Sequence, residues 1–485
     1  MRFARRAPFG LGRLVEGREK PGVNGNTQLN GHSVHHSEST AVYGPALPEE
    51  RTVHFVLDLA LRIGEVQMAS GAGAADATAT ILAVSAAYGL PHCEVDVIFT
   101  SITVACQRGT DEAPITSLRV VRSRGLDYTR LADVETLVQR ITARRVDVLA
   151  ARAELERITT APHPYPRWAA TLAFAGMAAA ITVLIGGAAP MAAAAAVVTA
   201  LVDRVGRLLN RRALPFFFQQ VVGGALATGA ALALIASGVL TAKPTVLVAA
   251  TITVLLSGLS VVSTVQDAIT GYNVTAAGRM MEISLMTAGL ITGVVLALNT
   301  AIWLGMAYTP LADPLPPSAF RLPVQTIAAA ASAGLFALAS YAKPRALLVA
   351  SVAGGVGAAT YGALTLTGSG TIAASAIAAV VIGFAGGVIS RRFRMPPLVV
   401  AVSGLVPLLP GLTIYRALYE LAVLRDISGL PTLMLAAAIA LALAAGVVLG
   451  EYLAQPVRSG LSRLERKLAG PRMSGPLRPT ERRLE

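Results

Sequence analysis

Charged residues are scarce in this chain, and so are aromatic and cysteine residues. Lys, Arg, Asp and Glu make up 14% of the 485 residues, and Phe, Trp and Tyr make up 5%. Soluble domains carry roughly 25% charged residues, so the composition excludes a soluble enzyme and a disordered chain. Only Cys93 and Cys106 are present, and their number and spacing indicate neither a disulfide framework nor a zinc site.

The net charge of +13 lies mainly in the last two thirds of the chain. Residues 1–167 hold 19 basic and 18 acidic residues, residues 168–455 hold 14 and 7, and residues 456–485 hold 8 and 3. The middle region consists of repeated apolar runs of about 20 residues, the length a helix needs to cross a bilayer. The composition therefore predicts a polytopic α-helical membrane protein, whose basic surplus meets anionic lipid and not nucleic acid.

The amino-terminal third is predicted to contain a disordered arm and a cytosolic α+β domain. Residues 1–48 are rich in Gly, Asn, His and Ser and lack the apolar stretch of a signal peptide. Residues 49–160 have the apolar periodicities of both helices and strands. The predicted elements are helices over 51–69 and 74–88, strands over 93–100, 101–106 and 115–123, and one amphipathic helix over 131–158.

The rest of the chain is predicted to cross the membrane about ten times. Prolines interrupt APHPYPRW (161–168) before the first crossing, and Trp168 suits an interfacial anchor. With the amino terminus inside, the inner loops and the tail carry 18 basic residues against four in the outer loops, which favours ten helices and cytosolic termini. The expected divisions are a first half of five helices at 161–306, a second half of five at 307–455, and a basic cytosolic tail at 456–485.

An internal repeat supports two related halves, which are typical of transporters. A shift of 181 residues aligns residues 191–224 with residues 372–405 without a gap. Gly206 then falls on Gly387 and Arg211 on Arg392. Alanine-rich helices also match by chance, so the register needs a structural check.

The segment SGLVPLLPGLTIYRALYE (403–420) interrupts an apolar crossing with Pro407, Pro410 and Gly411. Proline removes an amide donor, and lipid cannot satisfy the freed backbone groups, so a broken helix must face protein or a wet cavity. Tyr415 and Arg416 follow, and unwound backbone beside a cation suits a carboxylate. The alternative is a simple proline kink, with Arg416 reaching the outer headgroups.

A second polar segment, TVQDAITGYNVTAAGRMMEI (264–283), lies between the fourth and fifth crossings. Its polar residues are Gln266, Asp267, Asn273, Arg279 and Glu282. Charges buried in a membrane cost about 2.5–3.5 kcal/mol each, so they need partners or water. Asp267 or Glu282 could bind a substrate ammonium or carry a proton, and the alternative is an ordinary cytosolic loop. Gln219 and Gln220, near the start of the third crossing, could face a polar path or join two helices.

Three pieces of the sequence, in their order, resemble the bacterial threonine/serine exporter family. They are GEVQMASGAGAADATATILAVSAAYGL (64–90), QDAITGYNVTAAGRMMEISL (266–285) and VPLLPGLTIYRALYEL (406–421). The resemblance covers about residues 50–455 and implies export of L-threonine and L-serine across the bacterial cytoplasmic membrane, driven by the proton gradient. By this likeness Asp267 and Gly271 match the loop of the first half, and Pro410, Gly411 and Arg416 match the break of the second. Tyr272 and Asn273 depart from the usual Gly and acidic residue, which leaves the charge balance of this loop open.

The resulting hypothesis is a proton-coupled exporter with its substrate between the halves, near the bilayer midplane. Arg416 and the backbone at 407–411 would hold the carboxylate, and Asp267 or Glu282 would hold the ammonium or the proton. Expected partners are threonine, serine, protons and anionic lipid, with a homo-oligomer allowed and no metal or cofactor. A second hypothesis is a membrane-anchored sensor or scaffold whose cytosolic domain binds a partner, but one or two helices would suffice for that. An intramembrane enzyme lacks a recognisable nucleophile or metal set.

Overall fold

The computed structural model describes residues 49–107, 113–122, 125–238, 244–255, 258–305, 318–393, 395–422 and 424–454. The arm predicted at 1–48 and the tail predicted at 456–485 lie outside these ranges. All the described residues belong to one compact unit, which spans Pro48–Glu485.

Residues 50–160, called the α+β segment below, combine four helices with a small sheet. The elements are α1 (Glu50–Ala69), α2 (Ala74–Ala87), β1 (Cys93–Ile98), β2 (Ser101–Cys106), β3 (Ile115–Val120), α3 (Tyr128–Thr142) and α4 (Val148–Thr160). The strands pair in the antiparallel order β1-β2-β3, with Cys93 opposite Cys106 and Ser101 opposite Val120. Buried side chains alternate along β1 because only one face of the sheet packs on the helices.

The single amphipathic helix predicted over 131–158 is wrong, because α3 and α4 are separate helices. Arg144, between them, has a φ of 53°, which no continuing right-handed helix allows. Asp147 then caps α4 by accepting a hydrogen bond from the Leu149 N–H at 3.2 Å. Apolar residues of both helices face one core, so their spacing resembles that of one longer helix.

Helices also make up most of the chain after residue 166. Seven of the described helices are long and apolar enough to cross a membrane, or eight if Pro397–Leu408 and Gly411–Leu421, which meet at 46°, form one bent span. The helices Pro244–Leu255 and Gly258–Ile269 have 12 residues each, too short to cross alone. The fold is therefore that of a polytopic membrane protein. By length and apolar composition, the described helices give seven or eight crossings, fewer than the ten predicted.

The helices of this part are α5 (Arg167–Leu184), α6 (Ala189–Arg211), α7 (Phe216–Ala236), α8 (Pro244–Leu255), α9 (Gly258–Ile269), α10 (Asn273–Trp303), α11 (Leu322–Ala339), α12 (Pro344–Leu366), α13 (Thr371–Phe393), α14 (Pro397–Leu405), α15 (Gly411–Ala422) and α16 (Gly429–Ala454), with a 3-10 turn at Val406–Leu408.

Helix packing does not follow the predicted 181-residue repeat. That shift makes α6 correspond to α13. By its contacts, however, α6 corresponds to α12, because α6 packs on α5 as α12 packs on α11. Likewise α7 packs most closely on α10, and α13 on α16. The predicted register is therefore wrong, and the alanine-rich composition of both stretches accounts for the match.

The short helices α8 and α9 lie against α14, α15 and α16. The helix α8 contacts α15, and α9 contacts α14 and α16. Tyr415 of α15 is 1% exposed and packs with Leu247, Val248 and Ile252 of α8. These contacts bring the break between α14 and α15 to the centre of the helical part.

Candidate functional site

A cavity of about 400 Å³ lies at the break between α14 and α15. The 3-10 turn ends at Leu408, Leu409 is extended with a ψ of 137°, and α15 begins at Gly411. Pro407 and Pro410, the prolines that the sequence analysis singled out, both line the cavity. Unwound backbone at this depth is tolerated because it faces protein and a cavity rather than lipid.

Hydroxyl and amide side chains from several helices converge on this cavity. They are Thr253 of α8, Gln325 of α11, Tyr361 and Thr365 of α12, Thr371 and Ser375 of α13, and Thr413 of α15. No Asp, Glu, Lys or Arg of the described residues is among the lining side chains. Apolar side chains, including Val406, Leu412 and Ile439, form the rest of the wall. These converging polar residues were not predicted from the sequence, where their only signal is a polar side chain within an apolar crossing.

The amino-terminal end of α15 also forms part of the cavity wall. Leu412 and Thr413, in its first turn, line the cavity. The first N–H groups of a helix have no partner within it and carry partial positive charge, which favours a bound anion. A small molecule with a carboxylate, an ammonium and a hydroxyl group would find a partner for each here.

Arg416 and Tyr415 stand farther along α15 and are not among the residues that line the cavity. Arg416 is half-buried. Tyr415 packs in the apolar cluster with α8, and its ring centroid lies 6.3 Å from that of Tyr419. Of the residues predicted at this break, the structure places the prolines on the cavity and Tyr415 within apolar packing.

Asp267 and Arg279, predicted to lie at the substrate, bind each other and the α+β segment instead. Asp267 Oδ2 lies 2.7 Å from Arg279 Nη1, and the two side chains are 0% and 5% exposed. The Ala74 N–H donates a hydrogen bond to Asp267 Oδ1 at 2.6 Å. Since Ala74 begins α2, the carboxylate satisfies a free donor at the positive end of that helix. The Arg279 guanidinium also donates to the Ala72 carbonyl at 3.4 Å.

The segment 264–283 is the end of α9, a short turn and the start of α10, so the alternative of an ordinary loop is wrong. Gly271 has a φ of 89° in this turn, a conformation that favours glycine. The Tyr272 hydroxyl donates to Thr78 Oγ1 at 2.9 Å, and the Thr275 hydroxyl donates to the Val97 carbonyl at 2.8 Å. The turn therefore binds the α+β segment.

The other polar residues predicted for the site do not line the 400 Å³ cavity. Asn273 is exposed at the start of α10, and Glu282 is half-buried farther along it. Gln219 Nε2 donates to the carbonyl of Leu214, which precedes α7, at 2.7 Å. Gln219 and Gln220 line a separate cavity of about 90 Å³ between α6 and α7. The structure thus does not bring these side chains to the cavity at the α14–α15 break.

Comparison with known proteins identifies the family. Residues 58–301 match one threonine/serine exporter family model, ThrE, and residues 325–453 match a second, described as Threonine/Serine exporter, ThrE. The chain belongs to the threonine/serine exporter family. The resemblance read from the sequence is confirmed, and the protein is a membrane transporter rather than an enzyme.

Two curated members of the family are similar over most of their length. A protein of Mycobacterium tuberculosis named a probable threonine/serine exporter is 43% identical over 420 residues, which cover 84% of this chain and 78% of the relative. A threonine/serine exporter of Corynebacterium glutamicum is 34% identical over 422 residues, covering 85% and 86%. No solved structure matches the chain.

Proposed function

We propose that this exporter carries threonine and serine across the bacterial cytoplasmic membrane and that the cavity at the α14–α15 break is its substrate site. The observation that carries the proposal is the convergence of hydroxyl and amide side chains on unwound backbone. Broken helices at the substrate are typical of secondary transporters. The names of the relatives support the choice of threonine and serine.

In the proposed binding mode, the substrate carboxylate lies at the first turn of α15. The N–H groups of Leu412 and Thr413 would donate to it, and Arg416, in the next turn, adds positive charge. Carbonyl and hydroxyl oxygens around the break would accept from the ammonium. Tyr361 and Ser375 are the proposed partners of the side-chain hydroxyl, and Ile439 lies in the apolar wall that would contact the threonine methyl group.

We also propose that α5–α10 and α11–α16 are two related halves with opposite orientations. Pro244 and Pro397, which begin α8 and α14, are 153 residues apart, and so are Gly258 and Gly411, which begin α9 and α15. The same shift lays LLSGLS (255–260) on LLPGLT (408–413). If α8–α9 and α14–α15 each count as one interrupted crossing, each half has five. An odd number inverts the second half, a common design of secondary transporters.

Charge supports the proposed orientation, and the position of the acidic residues supports the proposed driving force. The basic loops favour a cytosolic α+β segment and cytosolic termini. We propose the proton gradient as the energy source, with Glu282 as the carrier of the proton. Asp267 is less suited to that role because Arg279 and the Ala74 N–H hold its carboxylate. Contact with anionic lipid, a homo-oligomer and the predicted domain limits stay predictions.

Transport by the purified protein in lipid vesicles tests this function. We expect saturable uptake of labelled threonine into inverted vesicles with an imposed proton gradient, competition by serine, and loss of accumulation with an uncoupler. Glu282→Gln should abolish gradient-driven accumulation while leaving exchange of internal for external threonine. Correctly inserted protein that moves no threonine would overturn the proposed substrate, whereas accumulation insensitive to the uncoupler would overturn only the coupling.

A further inference from the structure

The α+β segment contacts both α9 and α14. Asp267, near the end of α9, binds the start of α2. Tyr128, the first residue of α3, packs in one cluster with Val399 and Val400 of α14. The segment therefore holds together α9 and α14, and α14 leads to the break at the proposed substrate site. Transporters expose such a site alternately to the two sides by moving one half against the other.

The contact at Asp267 is polar and deeply buried. Asp267 and Arg279 form an ion pair out of solvent, and each also binds a backbone group of the α+β segment, at Ala74 and Ala72. The Thr275 hydroxyl accepts a hydrogen bond from the Phe99 N–H at 3.0 Å, which adds the turn after β1 to this contact. Separation of the α+β segment from α9 and α10 would break several of these buried hydrogen bonds at once.

The contact at Tyr128 is mainly apolar, with exposed polar contacts at its edge. Tyr128 is 1% exposed, and burial raises the pKa of its hydroxyl, while the hydroxyl of Ser403 on α14 acts in the opposite direction. Its N–H donates to the Ser340 carbonyl, which follows α11, at 2.9 Å. Beside it, Asp133 of α3 and Lys343 before α12 form an ion pair with side chains 38% and 51% exposed.

A cavity of about 560 Å³ with charged walls adjoins the Tyr128 contact. Asp127, which precedes Tyr128, and Tyr341, in the turn before α12, both line it. His163 also lines it, and its ring stacks on Tyr341 with centroids 4.2 Å apart while its Nδ1 lies 2.8 Å from Asp127 Oδ2. A cavity of this size with polar walls has room for water. Its separation exposes fewer buried charges than separation at Asp267 would.

We propose that the α+β segment is the gate of this transporter on its own side of the membrane and that the gate is closed in this structure. The gate opens when the Tyr128 contact with α11, α12 and α14 separates, while the Asp267 contact stays and carries the segment with α9 and α10. Opening frees α14, whose last turn leads directly to Pro407 at the substrate cavity. This proposal rests on the function proposed above.

A reversible cross-link across the Tyr128 contact tests the gate. Asp133→Cys and Lys343→Cys are combined and joined with a short bifunctional methanethiosulfonate reagent, which a dithiol removes. Exposed ion pairs contribute little to stability, so the double variant should fold and transport before cross-linking. The matched control combines Arg140→Cys with Glu154→Cys, an ion pair at 2.7 Å that joins α3 to α4 within the segment.

We expect the cross-link at 133 and 343 to lower threonine transport at least tenfold and dithiol treatment to restore it. The cross-link at 140 and 154 should leave the rate within twofold. Unchanged transport with a complete 133–343 cross-link would overturn the gate. Absence of threonine transport by the untreated wild-type protein would instead overturn the proposed function.

A second measurement keeps the test decisive if the double variant is inactive before treatment. Ser403→Cys places a thiol beneath Tyr128, where Ser403 is 0% exposed. We expect a membrane-impermeant thiol reagent on the side of the α+β segment to label this thiol several-fold faster when saturating threonine drives turnover. A labelling rate that does not respond to threonine would contradict opening at this contact.

Discussion

The start of α15 touches α8 so closely that a Cβ atom on Gly411 would lie 1.9 Å from Thr253 Oγ1. Thr253 lines the proposed substrate cavity, and Gly411 begins the helix whose first turn forms part of its wall. Because Gly411 has no side chain, α15 can approach α8 this closely. This approach could not be predicted from the glycine alone, because the sequence does not show which helix faces it.

Gly411→Ala should damage transport by forcing these helices apart. Overpacking of this kind costs about 1–3 kcal/mol, and here it also displaces the cavity wall. We expect at least a tenfold lower rate of threonine uptake, with partial recovery in Gly411→Ala combined with Thr253→Ala, which removes the clashing hydroxyl. The control is Gly229→Ala in α7, where a Cβ would meet no atom within 4 Å. Normal transport by Gly411→Ala would argue against a tight crossing.

Asp267→Asn should destabilise the folded protein because it removes the carboxylate charge 2.7 Å from the buried Arg279 guanidinium. Loss of one member of a buried pair costs about 3–5 kcal/mol. Asp267→Asn with Arg279→Gln should be less harmful than Asp267→Asn alone. Thermal unfolding in detergent measures the difference, with Glu154→Gln as the control because its partner Arg140 is 43% exposed. Equal melting temperatures for Asp267→Asn and the control would refute a buried ion pair.

Tyr361→Phe should weaken threonine binding without changing the fold. The variant removes one hydroxyl from the cavity wall, and a hydrogen bond contributes about 0.5–1.5 kcal/mol, so KM should rise about two- to tenfold. Tyr452→Phe in α16 is the matched control, because Tyr452 is 45% exposed and does not line the cavity. The same KM in all three proteins would remove Tyr361 from the proposed site.

The two native thiols should resist maleimide in the folded protein. Cys93 and Cys106 are 9% and 1% exposed and face each other across β1 and β2. Burial, followed by a hydrogen bond with Cys106, raises the pKa of the Cys93 thiol and so lowers the fraction of reactive thiolate. We expect less than a tenth of the labelling at pH 8.5 that the same protein shows in denaturant, measured by mass spectrometry. Rapid labelling of the folded protein would contradict this burial.

Much of the helical part could be predicted from the sequence because long apolar runs without charge have few alternatives to a membrane-crossing helix. The break at Pro407 and Pro410 could be predicted for a similarly local reason, since proline cannot continue the backbone hydrogen bonding. The apolar periodicity of residues 131–158 wrongly predicted one helix, because this periodicity reflects packing on a common core and not a continuous backbone. Helices that pack on one core keep their apolar spacing across a turn such as the one at Arg144.

The sequence by itself determined the class of this protein, its family and the place of one helix break, because these depend on composition and on residues close together in the chain. Only the tertiary structure decided the partners of the polar residues. Asp267 and Ala74 are distant in sequence yet share a hydrogen bond, and Tyr361, Ser375 and Thr253 meet at one cavity. A charge in an apolar run must find a partner, but only packing determines whether that partner is a substrate or another part of the chain.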